Sequence, residues 1–132
     1  MTPDELLAAM PFSLAIGAEI ETATADEVTG RLAWSAERCT IGGALHGGAL
    51  MALADSLGAI CAFLNLPEGA AGTSTIESKT NFFRGVREGH VAATSRPLHV
   101  GRTTIVVQTD LVDGTSGKRV AQVTQTQAVI TR

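Results

Sequence analysis

The sequence predicts an α+β domain in which one antiparallel sheet packs against one long helix. Three observations lead there. Residues 48–64 form an apolar segment with helical spacing whose only charge is Asp55. Segments rich in Val, Ile and Thr precede and follow it, separated by glycine-containing turns. The chain has 132 residues, the length of one ordinary domain, so residues 1–132 are read as a single unit.

The elements follow in order. Thr2-Pro3-Asp4-Glu5 is a capping box, with Thr2 at the N-cap, Pro3 at N1 and Glu5 at N3. It predicts a short helix to about Met10, ended by Pro11. Two strands are expected near Ala18–Thr24 and Val28–Trp34, and Ser35–Leu45, with Gly42-Gly43, reads as a loop. The long helix runs from about Gly48 to Leu64 and is stopped by Asn65 and Pro67. Strands are then expected over Thr73–Phe83, His90–Arg96, Thr103–Val112 and Val120–Thr131, with turns marked by Gly85, Gly89, Gly101 and Asp113-Gly114.

On a helical wheel Leu50, Leu53, Ala54, Leu57, Cys61 and Leu64 share one stripe, which should pack on the sheet. The opposite face carries Gly48, Ala52, Asp55, Ala59 and Ala62, which are small residues and one charge. A helix with no solvated face is expected to be buried all round, which puts Asp55 in a crowded, partly dry place pointing away from its own sheet. A carboxylate held there is either a buried hydrogen-bonding group or a general base or nucleophile.

The residues before the helix favour the second reading. Leu45-His46-Gly47-Gly48 leads into a helix N-terminus with unpaired N–H groups and the positive end of the macrodipole, suited to a developing oxyanion. Glycines at 47 and 48 are expected to let a substrate reach that backbone. Gly47 and Asp55 lie two turns apart, roughly 12 Å along the axis. They cannot grip one carbonyl carbon from the same helix, so catalysis by this pair requires a second subunit.

Composition limits the alternatives. Charged residues make up 17%, below the quarter usual for soluble domains, so part of the surface is expected to face another subunit. A net charge of −3 gives no global field to attract nucleic acid. The three histidines have no metal-ligand spacing with Cys39 and Cys61, and no metal is expected. No basic-then-apolar leader opens the chain, and the apolar run from Leu50 to Leu66 is broken by Asp55, Ser56 and Gly58. A cytoplasmic protein that does not bind membranes is therefore expected.

The run His46-Gly47-Gly48-Ala49-Leu50-Met51-Ala52-Leu53-Ala54-Asp55-Ser56 resembles the HGGxxxxLAD/E signature of hot-dog fold thioesterases, nearest to the PaaI and 4-hydroxybenzoyl-CoA thioesterase-like group. Glu77–Arg84 and Pro97–Thr103 match later pieces in order, so the resemblance covers about residues 12 to 131. It implies a curved antiparallel sheet wrapped around the central helix. It also implies a homodimer with shared sites, often paired into a homotetramer, and hydrolysis of an acyl-CoA thioester without a cofactor. Carried over, Asp55 is the nucleophile or general base, the Gly47 N–H polarises the carbonyl, and His46 orients the acyl group. The sequence departs from relatives at Thr40, where some carry Gln or Asn, and at Ala59, where some carry Ser or Thr. Thr40 and Ser56 are the hydroxyls left to position water or substrate.

CoA phosphates call for cations. Arg84, Arg87, Arg96 and Arg102 are the local supply, with Arg84 and Arg102 the preferred pair, supported by the Gly101 backbone and by Asn81. Of Phe82 and Phe83, at least one is expected in the core. The expected substrate is an aryl or medium-chain acyl-CoA. The competing expectations are a non-catalytic acyl-CoA-binding protein of the same fold, or a hydratase-dehydratase using His46.

Overall fold

The computed structural model describes residues 2–131. Six strands form one fully antiparallel sheet: β1 (Ala18–Ala23), β2 (Val28–Ala33), β3 (Ala70–Phe82), β4 (His90–Val100), β5 (Thr104–Asp113) and β6 (Arg119–Thr131). Their spatial order is β1-β2-β4-β5-β6-β3, so β1 and β3 are the edges. Two short helices, α1 (Pro3–Ala8) and α2 (Pro11–Ala15), precede the sheet, and the long helix α3 (Gly47–Phe63) lies in its concave face. The architecture is the curved sheet around one central helix that the resemblance implies.

The core sits between α3 and the inward faces of the strands. Strands β2 and β5 alternate buried and half-buried residues, as a sheet with one covered face requires. Val28, Leu32, Val91, Ile105, Val107 and Leu111 from the sheet meet Leu53, Leu57 and Cys61 from α3, all buried. Burying each Leu stabilises the fold by roughly 1.5–3 kcal/mol relative to exposure. That attraction, more than helix propensity, holds α3 in the sheet.

Several expectations need correction. Pro11 does not simply end a helix. It occupies the first turn of α2, where its fixed φ and missing N–H are tolerated. The Ser35–Leu45 segment contains a 3-10 turn at Ala36–Arg38 and closes through a Cys39–Leu45 bridge. Gly42 and Gly43 take positive φ (86° and 77°) at its tip, and Trp34 Nε1 donates to the Gly43 carbonyl at 2.9 Å. Strand β4 runs to Val100, past the expected end at Arg96, because a bulge between Pro97 and His99 absorbs the proline. Phe82 and Phe83 are both exposed in the isolated chain, so neither is core. Ala62, by contrast, is buried as expected for a helix with no solvated face.

Burial pushes the Cys61 thiol up to about 11, whereas Cys39 is half-buried beside the loop. An alkylating reagent at mildly alkaline pH is therefore expected to label native protein at Cys39 and to reach Cys61 only after denaturant is added, as peptide mass mapping would show. Because the folded thiol holds its proton more tightly, this group's contribution is complete below the ordinary 9.0 and is lost as pH rises through about 11.

Candidate active site

Helix α3 begins where the chain leaves the Cys39–Leu45 bridge. His46 is its N-cap, and its Nδ1 accepts the Gly48 N–H at 2.8 Å, which places the remaining ring proton on Nε2. The His46 carbonyl accepts the Ala49 and Leu50 amides. The Gly47 N–H is left with no acceptor among the described residues. It is a free donor at the positive end of a 17-residue helix.

The two glycines do not leave the backbone bare. A Cβ on Gly47 would lie 3.1 Å from the Phe82 ring, and one on Gly48 would meet the His46 imidazole at 2.9 Å. They let β3 and the capping ring pack closely on the first turn, which corrects the expectation of an open approach. Replacing His46 with Ala is expected to destabilise the fold by about 1 kcal/mol, and Asn, another N-cap acceptor, should restore most of it. Thermal melts of the two variants check this.

Two turns along α3, Asp55 is exposed in the isolated chain rather than dry. It lies opposite the core stripe and is flanked by β3 and β6. Thr75 Oγ1 donates to Asp55 Oδ1 at 2.8 Å, and Gln125 Nε2 donates to the same oxygen at 3.3 Å. Asp55 Oδ2 has no partner among the described residues. One carboxylate oxygen is thus anchored and the other is presented outward.

Behind Thr75, Gln127 Nε2 donates to Thr75 Oγ1 at 2.6 Å. Gln125 and Gln127 are fully buried, and the Oε1 of each has no partner among the described residues. Leaving such an amide group unpaired costs roughly 1–3 kcal/mol. A Cβ at Gly58 would overlap the Gln125 amide, so glycine is needed there although mid-helix Gly costs about 1 kcal/mol relative to Ala. Thr75, Gln125 and Gln127 were missed in the sequence. The available signal was the run of Gln at inward positions of β6, in alternation with half-buried Thr.

The remaining predicted residues fall as follows. The Ser56 hydroxyl donates to the Ala52 carbonyl at 2.7 Å and pairs with Ser13 Oγ at 2.6 Å in a buried contact joining α2 to α3. It is engaged there and not beside Asp55. Thr40 is exposed on the loop leading to the α3 N-terminus, where its amide donates to the Ala44 carbonyl, and it has no hydrogen bond to Asp55 among the described residues. Arg84 follows β3 at the same end; its amide bonds to the Val120 carbonyl and its Nε to the Arg119 carbonyl. Arg102 is in the β4–β5 turn beside Thr103, whose carbonyl accepts the Val129 amide. Val120 and Val129 are nine residues apart on β6, roughly 30 Å. Arg84 and Arg102 of one chain therefore cannot hold one CoA together. Gly101 closes that turn through its N–H to the Thr104 carbonyl, and Asn81 is exposed on β3 in register with Gln122.

A cleft of about 500 Å³ opens at the α3 N-terminus between His46, Gly48, Ala49 and Ala52 on one side and Phe12 and Ile16 on the other. It has an apolar wall and a helix N-terminus at its rim. The family model of the thioesterase superfamily matches residues 42–120, which contain the helix, Asp55 and Thr75. The chain belongs to the thioesterase superfamily. Among solved structures of this superfamily's fold, a mutant thioesterase of Pseudomonas aeruginosa superimposes with TM-score 0.90 at 30% identity, over 98% of this chain and 94% of that one. A thioesterase of Haemophilus influenzae gives TM-score 0.90 at 28% identity, over 99% and 92%. The 1,4-dihydroxy-2-naphthoyl-CoA hydrolase of Escherichia coli is 38% identical over 71 residues, 54% of this chain and 52% of that protein. The matched stretches span 47% to 60% of the first curated relatives.

Proposed function

We propose that the chain is an acyl-CoA thioesterase that converts an aryl or medium-chain acyl-CoA to the free acid and CoA, needing neither metal nor organic cofactor. The observation that carries this reading is the pairing of chemistries on one helix: an unpaired Gly47 N–H at its positive end and an Asp55 carboxylate anchored through one oxygen with the other free. In this mechanism the Gly47 N–H receives the oxyanion as the thioester carbon becomes tetrahedral. Asp55 takes a proton from attacking water, or attacks the carbon itself to give an anhydride that water then opens. Collapse breaks the C–S bond, and the departing CoA sulfur takes up a proton. The His46 ring, fixed by its cap bond, orients the acyl carbonyl, and Thr40 helps position substrate at the helix start.

Gly47 and Asp55 are too far apart along α3 to act on one carbon, so the proposed site is shared by two subunits. The exposed 13-residue edge strand β3 offers unpaired backbone groups; Ile76 and Phe82 on it are 60% and 49% exposed, and Phe83, just after it, is 54% exposed. Antiparallel pairing of β3 with a two-fold copy, centred on Ser78, would set Phe82, against Gly47, opposite the partner's Ser74 and so beside the partner's Thr75, which holds the partner's Asp55. The same pairing would bring Arg84 within about three strand spacings, roughly 15 Å, of the partner's Arg102. The two arginines, with Asn81, would then take CoA phosphates as a pair across the interface, while Gly101 shapes the turn that presents Arg102. The dimer pairs further into a homotetramer in the cytoplasm; no helix among the described residues is long and apolar enough to cross a membrane.

The test is release of free CoA thiol from a panel of aryl and aliphatic acyl-CoAs. Turnover of at least one class supports the reading. Binding of acyl-CoA without turnover would replace it with the non-catalytic reading.

A further inference from the structure

We infer that Thr75 and Gln125, with Gln127 behind Thr75, are positioning residues that hold Asp55 so that one carboxylate oxygen faces the substrate. The inference rests on Asp55 being the reacting carboxylate. The direction of every bond in the chain is set by chemistry. An ionised carboxylate only accepts, so the Thr75 hydroxyl must donate its proton to Oδ1. That leaves the Thr75 oxygen as acceptor, which dictates that Gln127 presents Nε2. Gln125 likewise must turn Nε2 toward Asp55, since its Oε1 there would face a like charge. Both glutamines are thereby locked with Oε1 unpartnered and fully buried.

Structural demands alone do not account for this arrangement. Leu at 125 would fill comparable volume with no orphaned oxygen, and Ala at 58 would strengthen the helix. The fold instead buries two amides and places a glycine in mid-helix, and both features end at one oxygen of Asp55. A β-bulge at Ile76 completes the device. Residues 75 and 82 are an odd number apart, yet Thr75 reaches Asp55 and Phe82 reaches Gly47, because the bulge reverses the alternation between them. Both ends of the α3 site are thus set from one strand.

The experiment compares T75V, T75S, Q125L and D55N with wild type, each checked for folding by circular dichroism, by kcat and KM for the best acyl-CoA. T75V keeps the shape and removes the donor. The expected result is a fall in kcat of about 10- to 100-fold with KM little changed, since a misaimed carboxylate slows reaction more than it weakens binding. Q125L should behave alike, and T75S, which keeps the hydroxyl, should restore most of the rate. If D55N is inactive while folded T75V and Q125L keep wild-type kcat, or if T75S is as slow as T75V, the positioning role is overturned and the thioesterase reading stands. If D55N turns over at the wild-type rate, Asp55 is not the reacting carboxylate and the positioning role falls with it; if the wild type releases no CoA thiol, the thioesterase reading falls as well.

Discussion

Asp55→Asn is expected to lower kcat by about 100- to 10,000-fold, the range ascribed to a positioned acid-base group. Asn has the same shape, and its Oδ1 can still accept from Thr75 and Gln125, so the network and the fold should survive. What disappears is the basic, nucleophilic character of the outward oxygen. An amide at that position neither takes a proton from water nor attacks a thioester. The measurement is thiol release at saturating acyl-CoA, beside a thermal melt within a few degrees of wild type. A folded D55N enzyme that retains more than a tenth of the rate would show that another group does the chemistry.

Leu57→Ala is expected to give the largest loss of stability, about 2–5 kcal/mol. The Leu57 side chain is fully buried and packs directly on the β2 backbone, its Cδ2 lying 3.1 Å from where a Cβ on Gly30 would be. Neither α3 nor β2 can collapse into the space without lifting the helix off the sheet. Against a total stability of about 5–15 kcal/mol this is a large fraction. Thermal unfolding should fall by roughly 10 °C for a domain of this size at fixed protein concentration. Activity assayed well below the new midpoint should fall much less than in D55N, since Leu57 is buried in the core whereas Asp55 is on the exposed side of α3. A melt within two or so degrees of wild type would show that the core repacks there, contrary to the close packing of such interiors.

Local patterns were legible in the sequence because each is written within a few residues. The α3 stripe repeats every turn, the capping box at Thr2 spans four residues and is present with both bonds, and the strands alternate wherever one face is covered. Pro11 misled because the same ring that stops one helix also suits the first turn of the next. The exposed Phe82 and Phe83 misled because they lie at and just beyond the end of an edge strand, which has no neighbour to cover it within one chain.

By itself the sequence determined the fold class, the central helix, and the presence of Asp55 and of a glycine-led helix start two turns before it. Only the tertiary structure decided what holds Asp55, since its partners lie 20 and 70 residues away in the chain. It also decided that Ser56 is taken by Ser13, 43 residues distant, and that Arg84 and Arg102 stand at opposite ends of the sheet. The physical reason is the same in each case. Periodicity fixes which face of an element a side chain occupies, but the sheet's curvature, its register and the bulge at Ile76 fix which side chains from distant strands meet there.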